Sequence, residues 1–452
     1  MSATCSVPVS AAPVVRRPAA LSRRSGMVSL TIRLAFAGGM FLSHIVLARS
    51  LGVEAFGEYS LAVAWLQVLT VAGKLGLDNT SLRYVSEYVT RGELGKLRGF
   101  LFASIRATLL ASLSVTALVV ITVLAMWDRL GSNVAWCLIL AGIMVPLVSI
   151  RQIQEASLRG VGRLLESQIG TAIWPLLLFL LTGITWHVRG TGITSPIAMT
   201  LHLTSLCVVS LLVYRFQNQI SVYGNRTPAR ESCHTVWRNT ALAFLFAEAL
   251  IAMKGRACVA LAGMVLDRPS VGLYGGMEKF ADVSLLLSQS LGIVIAPQFA
   301  SLYAAGRFAE MRKLMRQGQL LGLAFTLPVA LAVGFLGEYI FVLLGPGFRE
   351  GWPVLIALLT SACIASFSGP AAYVLQMTGY ERTMLSITAA AAATNILFSL
   401  LLMGPYGILG LGFAQIVTSL VWTVGVRAAL CWHPAWQSAT ADQQSELDEV
   451  NR

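Results

Sequence analysis

The stretch that decides the fold of this chain is Asn239–Met264, which reads NTALAFLFAEALIAMKGRACVALAGM. It is mostly apolar and long enough to cross a bilayer as one helix, since a crossing takes about 20 residues. Its middle third nevertheless carries Glu248, Lys254 and Arg256. An ionised group at bilayer depth costs about 2.5–3.5 kcal/mol on insertion scales, so such groups rarely face lipid. The stretch therefore predicts a membrane helix that lines a charged path.

The composition of the whole chain predicts an all-α, polytopic membrane protein. Hydrophobic residues make up 56% of the 452 residues and charged residues only 12%, about half the charged share of a typical soluble chain. Twelve apolar segments are long enough to cross a membrane as helices. They are residues 28–48, 58–77, 99–124, 133–150, 167–186, 193–214, 239–264, 277–300, 318–344, 352–373, 383–404 and 407–430.

Basic residues are distributed unequally between the two sides of the predicted membrane. With the N-terminus in the cytoplasm, 22 of the 33 Lys and Arg residues fall in cytoplasmic segments, six fall outside and five lie within spans. Cytoplasmic loops collect Lys and Arg, so this bias predicts that both termini are cytoplasmic. No basic cluster is interleaved with aromatic residues, and nucleic acid is therefore not an expected partner.

The two halves of the chain repeat one another at an offset near 215. The sequence FGEY at 56–59 falls over VGLY at 271–274, and Gly162 falls near Gly379. Halves of like orientation predict a substrate site between them, near the membrane midplane. The expected division is a disordered cytoplasmic tail (1–27), a six-helix lobe (28–214), a cytoplasmic linker (215–238), a second six-helix lobe (239–432) and a polar tail (433–452). Translation could start at Met1 or at Met27.

Several short motifs resemble those of the Wzx-type polysaccharide flippases. They are LARSLGVEAFGEYSLAVAWL at 47–66, GLDNTSLRYVSEY at 76–88, VGLYGGMEKF at 271–280, IAPQFASLYAAG at 295–306 and PYGILGLG at 405–412. These flippases belong to the multidrug/oligosaccharidyl-lipid/polysaccharide (MOP) exporter superfamily, as do the lipid II flippase and the multidrug and toxin extruders. The resemblance covers about residues 28–430.

The resemblance implies a transporter of the bacterial inner membrane rather than an enzyme. Its cargo would be an undecaprenyl-pyrophosphate-linked saccharide, moved from the cytoplasmic to the periplasmic leaflet for O-antigen, capsule or exopolysaccharide synthesis. The implied mechanism is alternating access coupled to an ion gradient. The implied partners are the lipid-linked oligosaccharide, membrane lipids and other assembly proteins, such as a polymerase or a chain-length regulator.

An anionic pyrophosphate headgroup requires fixed positive charge in the cleft that moves it. Arg33, Lys254 and Arg256 are the first candidates, since the guanidinium fork of arginine matches phosphate oxygens. Lys254 and Arg256 lie about 200° apart on an ideal helix, so both cannot fully face one cleft. Under the repeat offset Arg33 corresponds to Glu248, and the two positions would face each other across the cleft.

Three other basic residues are open between a cleft role and a structural one. Lys74 and Arg106 lie within about two turns of the cytoplasmic ends of their spans, where long basic side chains often extend to the interface. Lys279 begins the eighth span and is either a cleft residue, as the resemblance suggests, or a solvated helix end. Glu248 is either a proton- or cation-coupling group or a partner that neutralises Arg256 or Arg33.

Two alternative functions remain in view beside the flippase. A cation-coupled multidrug exporter would favour an acid-rich cavity, whereas the predicted spans hold five deep basic residues and one deep acid, Glu248. A membrane polysaccharide polymerase or ligase would typically carry a long periplasmic loop, and every predicted outer loop is short. The seven cysteines and five histidines show no metal-ligand spacing, so neither a metal nor a cofactor is expected.

Overall fold

The computed structural model describes residues 23–190, 193–221, 234–255, 257–345 and 347–433. Within these ranges the chain forms fourteen α-helices and one 3-10 turn, and it forms no β-strand. The predicted all-α class is therefore confirmed. Arg33 lies in the first helix, but its side chain is outside the described part of the chain, and Arg256 lies outside it altogether.

The helices follow one another with short connections. The first half of the chain contains α1 (Arg23–Lys74), α2 (Leu77–Arg91), α3 (Leu94–Ala125), α4 (Trp127–Leu130), α5 (Ser132–Gly160), α6 (Leu164–Arg189) and α7 (Ser195–Ser221). The second half contains α8 (His234–Gly255), α9 (Ala257–Val265), α10 (Arg268–Ala304), α11 (Phe308–Phe335), α12 (Gly337–Leu344), the 3-10 turn (Arg349–Gly351), α13 (Trp352–Met377) and α14 (Glu381–Cys431).

The long apolar helices make this a multi-pass membrane protein. Nine segments of the described helices are long and apolar enough to cross a membrane. Each of the twelve predicted spans overlaps a helix, but α1 and α14 each contain two of them. Both helices are interrupted by a glycine with non-helical backbone, Gly52 (φ 73°, ψ 174°) in α1 and Gly407 (φ 54°, ψ −133°) in α14. The count of twelve crossings stays a prediction.

The segment 239–264 is helical on both sides of residue 256, which lies outside the described part: α8 is described up to Gly255 and α9 from Ala257. The segment 318–344, predicted as a single helix, is divided into α11 and α12, with Leu336 between them. Glycine weakens a helix by about 1 kcal/mol relative to alanine, and Gly337 directly follows this break. At Gly337 a side chain would also collide with the ring of Trp352, since an added Cβ would lie 1.7 Å from Cζ3.

The same helix ending occurs at repeat-related positions in the two halves. Gly92 and Gly306, 214 residues apart, both have left-handed backbone, and so do Gly162 and Gly379, 217 residues apart. In each turn the residue after the glycine donates its N–H to the carbonyl five residues earlier, as in a Schellman motif. These bonds are Glu93 N to Tyr88 O, Arg163 N to Leu158 O, Arg307 N to Leu302 O and Tyr380 N to Leu375 O, at 2.9–3.1 Å.

The two halves meet where α1 crosses α10, and glycine makes this crossing possible. A Cβ added at Gly57 would lie 2.0 Å from the carbonyl oxygen of Arg268, and one added at Gly272 would lie 2.2 Å from that of Val53. Both pairs of positions, 53 with 268 and 57 with 272, are 215 residues apart. The repeat offset therefore relates the two glycine contacts to each other, and α1 and α10 cross with local two-fold symmetry. Small residues at such crossings let membrane helices approach closely.

Candidate functional site

A cavity of about 830 Å³ lies mostly within the second half of the chain, beside its contact with the first half. Of the 27 described residues that line it, three come from the first half: Val71, Lys74 and Asn79. The other walls are formed by α8, α10, α13 and α14. The volume is within the range of about 300–1,000 Å³ that is typical of ligand pockets. The repeat predicted a substrate site between the halves, and that location stays a prediction.

An ion-pair cluster joins the halves at one side of the cavity. The ammonium group of Lys74, at the end of α1, lies 2.6 Å from a carboxylate oxygen of Asp78 and 2.9 Å from one of Glu248, on α8. The amide of Asn79 donates to the other oxygen of Glu248 at 2.6 Å. The side chains of the three charged residues are only 11–15% exposed. Glu248 thus pairs with Lys74, a partner that the sequence reasoning did not consider.

Lys254 lies in the last turn of α8 and also lines the cavity. Its ammonium group is 4.0 Å from the ring centroid of Trp422, on α14, which is a cation–π distance. Trp422 itself lines the cavity. The contact holds the ammonium of Lys254 against an aromatic face within the cavity wall.

Two other candidate residues lie outside the cavity lining. Arg106 is exposed on α3 and is not among the lining residues. Lys279 forms ion pairs with Glu278 at 3.3 Å and with Asp282 at 3.6 Å, and it is these two acids that line the cavity. Of the predicted cationic set, the structure therefore brings Lys74 and Lys254 to the cavity. Arg33 and Arg256 cannot be placed because their side chains lie outside the described part.

The charges on the cavity wall are mixed rather than predominantly positive. The described lining contains two cations, Lys74 and Lys254, and three acids, Glu248, Glu278 and Asp282. The cavity wall thus holds two acids besides Glu248, which the sequence reasoning did not consider as cavity residues. Glu278 and Asp282 are one helical turn apart, so both face the same side of α10.

A second ion pair between the halves was missed by the sequence reasoning. The guanidinium of Arg268, at the start of α10, donates to a carboxylate oxygen of Glu58 at 2.9 Å and to the carbonyl of Leu130 at 2.7 Å. Glu58 is only 3% exposed, and the hydroxyl of Ser195 also donates to it. The sequence did contain a sign of this pair: Glu58 is an acid within a predicted span and follows Gly57, so it needs a cationic partner.

The fold and the cavity together define a class: an all-α, multi-pass membrane protein of two repeated halves, with a cavity that charged, polar and apolar side chains line. No family model matches the chain. A curated relative, an uncharacterized membrane protein EpsK of Bacillus subtilis (strain 168), is 22% identical over 407 residues, which cover 83% of this chain and 76% of that protein.

Solved structures of transporters have the same fold. One is an inward-facing multidrug resistance MATE family transporter of the MOP superfamily, with a TM-score of 0.71 and 14% identity over 90% of this chain and 99% of that chain. Another is the lipid II flippase MurJ in an inward closed conformation, with a TM-score of 0.68 and 12% identity over 89% of this chain and 87% of that chain. The chain therefore shares the fold of these transporters, as the sequence resemblance implied.

Proposed function

We propose that this protein is a flippase that moves an undecaprenyl-pyrophosphate-linked saccharide across the bacterial inner membrane. The observation that carries the proposal is the composition of the central cavity wall. Uncharged hydrogen-bonding side chains from the second half form most of its polar part; they are Ser288, Gln289, Ser361, Ser366, Gln376, Gln415 and Ser419. Amides and hydroxyls of this kind suit the many hydroxyl groups of a saccharide.

The cations of the cavity suit the phosphate end of such a cargo. Lys74 and Lys254 line the same cavity as the amides and hydroxyls. A polar cleft removes the cost of taking a charged headgroup through hydrocarbon, while the isoprenoid tail stays in the bilayer. The fold supports the proposal at a coarser level, because a lipid II flippase has it too.

In this proposal residues 28–214 and 239–432 act as two lobes that rock against each other. The pair Glu58–Arg268 would hold the lobes together at one end of the helix bundle. The pair Lys74–Glu248 would hold them together beside the cavity. For the cavity to open alternately to the two sides of the membrane, each ion pair would have to break while the other stays formed. The positive-inside bias supports a cytoplasmic position for Lys74 and for both termini.

The experiment is complementation of a deletion strain, with lipid-linked repeat units and surface polysaccharide as the two readouts. Without the protein, repeat units should accumulate on the inner leaflet, and the intact chain should restore surface polysaccharide. Lys254→Gln should reduce restoration at equal protein level, whereas the matched control Arg238→Gln, at an exposed position on the same helix, should not. Normal export in the deletion strain, with no other flippase present, would contradict the proposal.

A second candidate function is export of amphipathic cations. The observation that favours it is the excess of acids over bases among the charged residues of the described cavity wall. It predicts that the deletion strain becomes sensitive to cationic dyes and that Glu278→Gln removes the resistance. Sensitivity to dyes with unchanged polysaccharide would favour this function over the flippase.

A further inference from the structure

Two side chains that line the central cavity, Lys254 and Trp422, are in contact with each other. The ammonium group of Lys254, near the end of α8, lies 4.0 Å from the ring centroid of Trp422, on α14. Both residues are partly buried and line the cavity. An ammonium at this distance lies over one face of the indole ring. A ligand in the cavity therefore reaches that face only after Lys254 has moved.

Lys254 has no carboxylate partner among the described residues. The three acids on the described cavity wall pair with two other lysines: Glu248 with Lys74, and Glu278 and Asp282 with Lys279. A contact with an aromatic ring is weaker than a hydrogen-bonded ion pair with an anion. Among the described cavity residues, Lys254 is therefore the cation that an anionic ligand can bind without breaking an ion pair.

The face of α14 that carries Trp422 also carries an amide and a hydroxyl. Gln415, Ser419 and Trp422 follow one another at positions i, i+4 and i+7, so they share one helix face, and all three line the cavity. The oxygen Oε1 of Gln415 accepts a hydrogen bond from Asn395 at 2.8 Å. The hydroxyls of Ser419 and Ser361 are hydrogen-bonded to each other at 2.8 Å. These bonds hold both polar side chains in place beside the ring.

An indole ring beside amide and hydroxyl groups suits a sugar ring. The negative face of the indole attracts the C–H hydrogens of a pyranose, as it attracts an ammonium. Amides and hydroxyls form hydrogen bonds with sugar hydroxyls. Lys254 and a sugar therefore compete for the same face of Trp422. A phosphate group in the cavity ends this competition, because it draws the ammonium away from the ring into an ion pair.

We propose that Lys254 and Trp422 exchange partners when the cargo binds: the phosphate end binds the ammonium of Lys254, and the first sugar ring stacks on the uncovered face of Trp422. This inference rests on the proposed function, because it assigns the two parts of a phosphate-linked saccharide to these two side chains. A lipid phosphate without a sugar leaves the uncovered ring face empty, and a sugar without phosphate meets a covered ring. The pair therefore selects a cargo that carries both groups.

The test measures how tightly the full-length protein in detergent binds undecaprenyl pyrophosphate, with and without one N-acetylglucosamine residue. Lys254→Gln should weaken the binding of both lipids roughly tenfold, because a hydrogen bond to a charged group is lost. The matched control is Lys313→Gln, at an exposed position on α11, and it should bind both lipids like the wild type. Soluble N-acetylglucosamine should bind about fivefold more tightly to Lys254→Gln than to the wild type, because the ring face is no longer covered.

Trp422→Leu distinguishes an exchange of partners from a merely structural contact. Because the ring competes with phosphate for Lys254, its removal should leave the affinity for the sugar-free lipid unchanged or raise it by up to about fivefold. The additional affinity that the sugar provides in the wild type should be lost. Trp422→Tyr keeps an aromatic face and should keep this additional affinity. Trp136→Leu, at an exposed position outside the cavity lining, is the control and should bind both lipids like the wild type.

Three results would overturn the inference: weaker binding of the sugar-free lipid by Trp422→Leu, a sugar contribution that survives in that variant, or equal binding of soluble N-acetylglucosamine by Lys254→Gln and the wild type. The third comparison does not depend on the folding of a tryptophan variant. The two proposals can fail separately. A protein that binds neither lipid contradicts the proposed function and this inference with it, whereas one that binds both lipids without these differences contradicts this inference alone.

Discussion

Replacing Arg268 with alanine tests the ion pair that joins the two halves near their crossing. Arg268 is the cation beside Glu58, and Glu58 is only 3% exposed. Without the guanidinium, the carboxylate still accepts a hydrogen bond from the hydroxyl of Ser195, a single neutral donor among the described residues. A buried charge with so little compensation disfavours the folded arrangement, so Arg268→Ala should destabilise the protein.

The structure also predicts an unequal cost for the two partners. Removing one member of a buried ion pair typically costs about 3–5 kcal/mol, and we expect Arg268→Ala to fall near 3 kcal/mol because Ser195 remains. The side chain of Arg268 is 42% exposed and also donates to Leu130. Glu58→Gln therefore leaves a cation that water can solvate, and it should cost only about 1 kcal/mol.

The assay is thermal unfolding of the purified variants in detergent, with a double variant included. Arg268→Ala/Glu58→Gln should be more stable than Arg268→Ala alone, because the second change removes the stranded charge. Arg129→Ala, an exposed arginine in α4 at the same end of the bundle, is the matched control and should unfold like the wild type. Wild-type stability of Arg268→Ala, or a double variant less stable than Arg268→Ala, would refute the reasoning.

Three further predictions concern stability. Gly57→Ala should lower the yield of monodisperse protein in size-exclusion chromatography, because its Cβ would lie 2.0 Å from a backbone oxygen, while Gly183→Ala, with no atom within 4 Å, should not. Lys74→Gln should lower the melting temperature more than Glu248→Gln, since it leaves two carboxylates without their cation; the reverse order would contradict this assignment. Burial lowers the pKa of His433, so its contribution to stability should be full above about pH 6.5 and be lost as the pH falls below that value. When the melting temperature is measured from pH 8 to pH 5, His433→Gln should therefore show a weaker dependence on pH than the wild type.

Much of the fold could be predicted because it depends on local composition. Apolar runs of about 20 residues specify membrane helices whatever their partners are. The repeat was visible because glycines at 57 and 272 and at 162 and 379 stand where only glycine fits, either against a backbone oxygen or in a left-handed turn. Such positions can be recognised in the sequence because they require one residue type, glycine.

The charge pairing could not be predicted, because it depends on contacts between distant segments. Lys74 and Glu248 are 174 positions apart, and the sequence offered Arg256 and Arg33 as equally reasonable partners for Glu248. The orientation of α10 decides that Glu278 and Asp282 line the cavity while Lys279 does not. Rotating α10 by about 100°, the angle between successive residues of a helix, would exchange these roles. Span boundaries predicted from hydropathy are uncertain by more than one residue, so the sequence could not specify this rotation.

The crossing of α1 and α10 has the form of a joint between identical subunits. Gly57 of α1 packs against the backbone of α10, and Gly272 of α10 packs against the backbone of α1. The two contacts are equivalent, as they are in an isologous dimer interface. The symmetry ends at the side chains: position 58 is a glutamate that binds Arg268, whereas its counterpart under the repeat offset, position 273, is a leucine. This crossing therefore buries one carboxylate, whereas two identical halves would bury two.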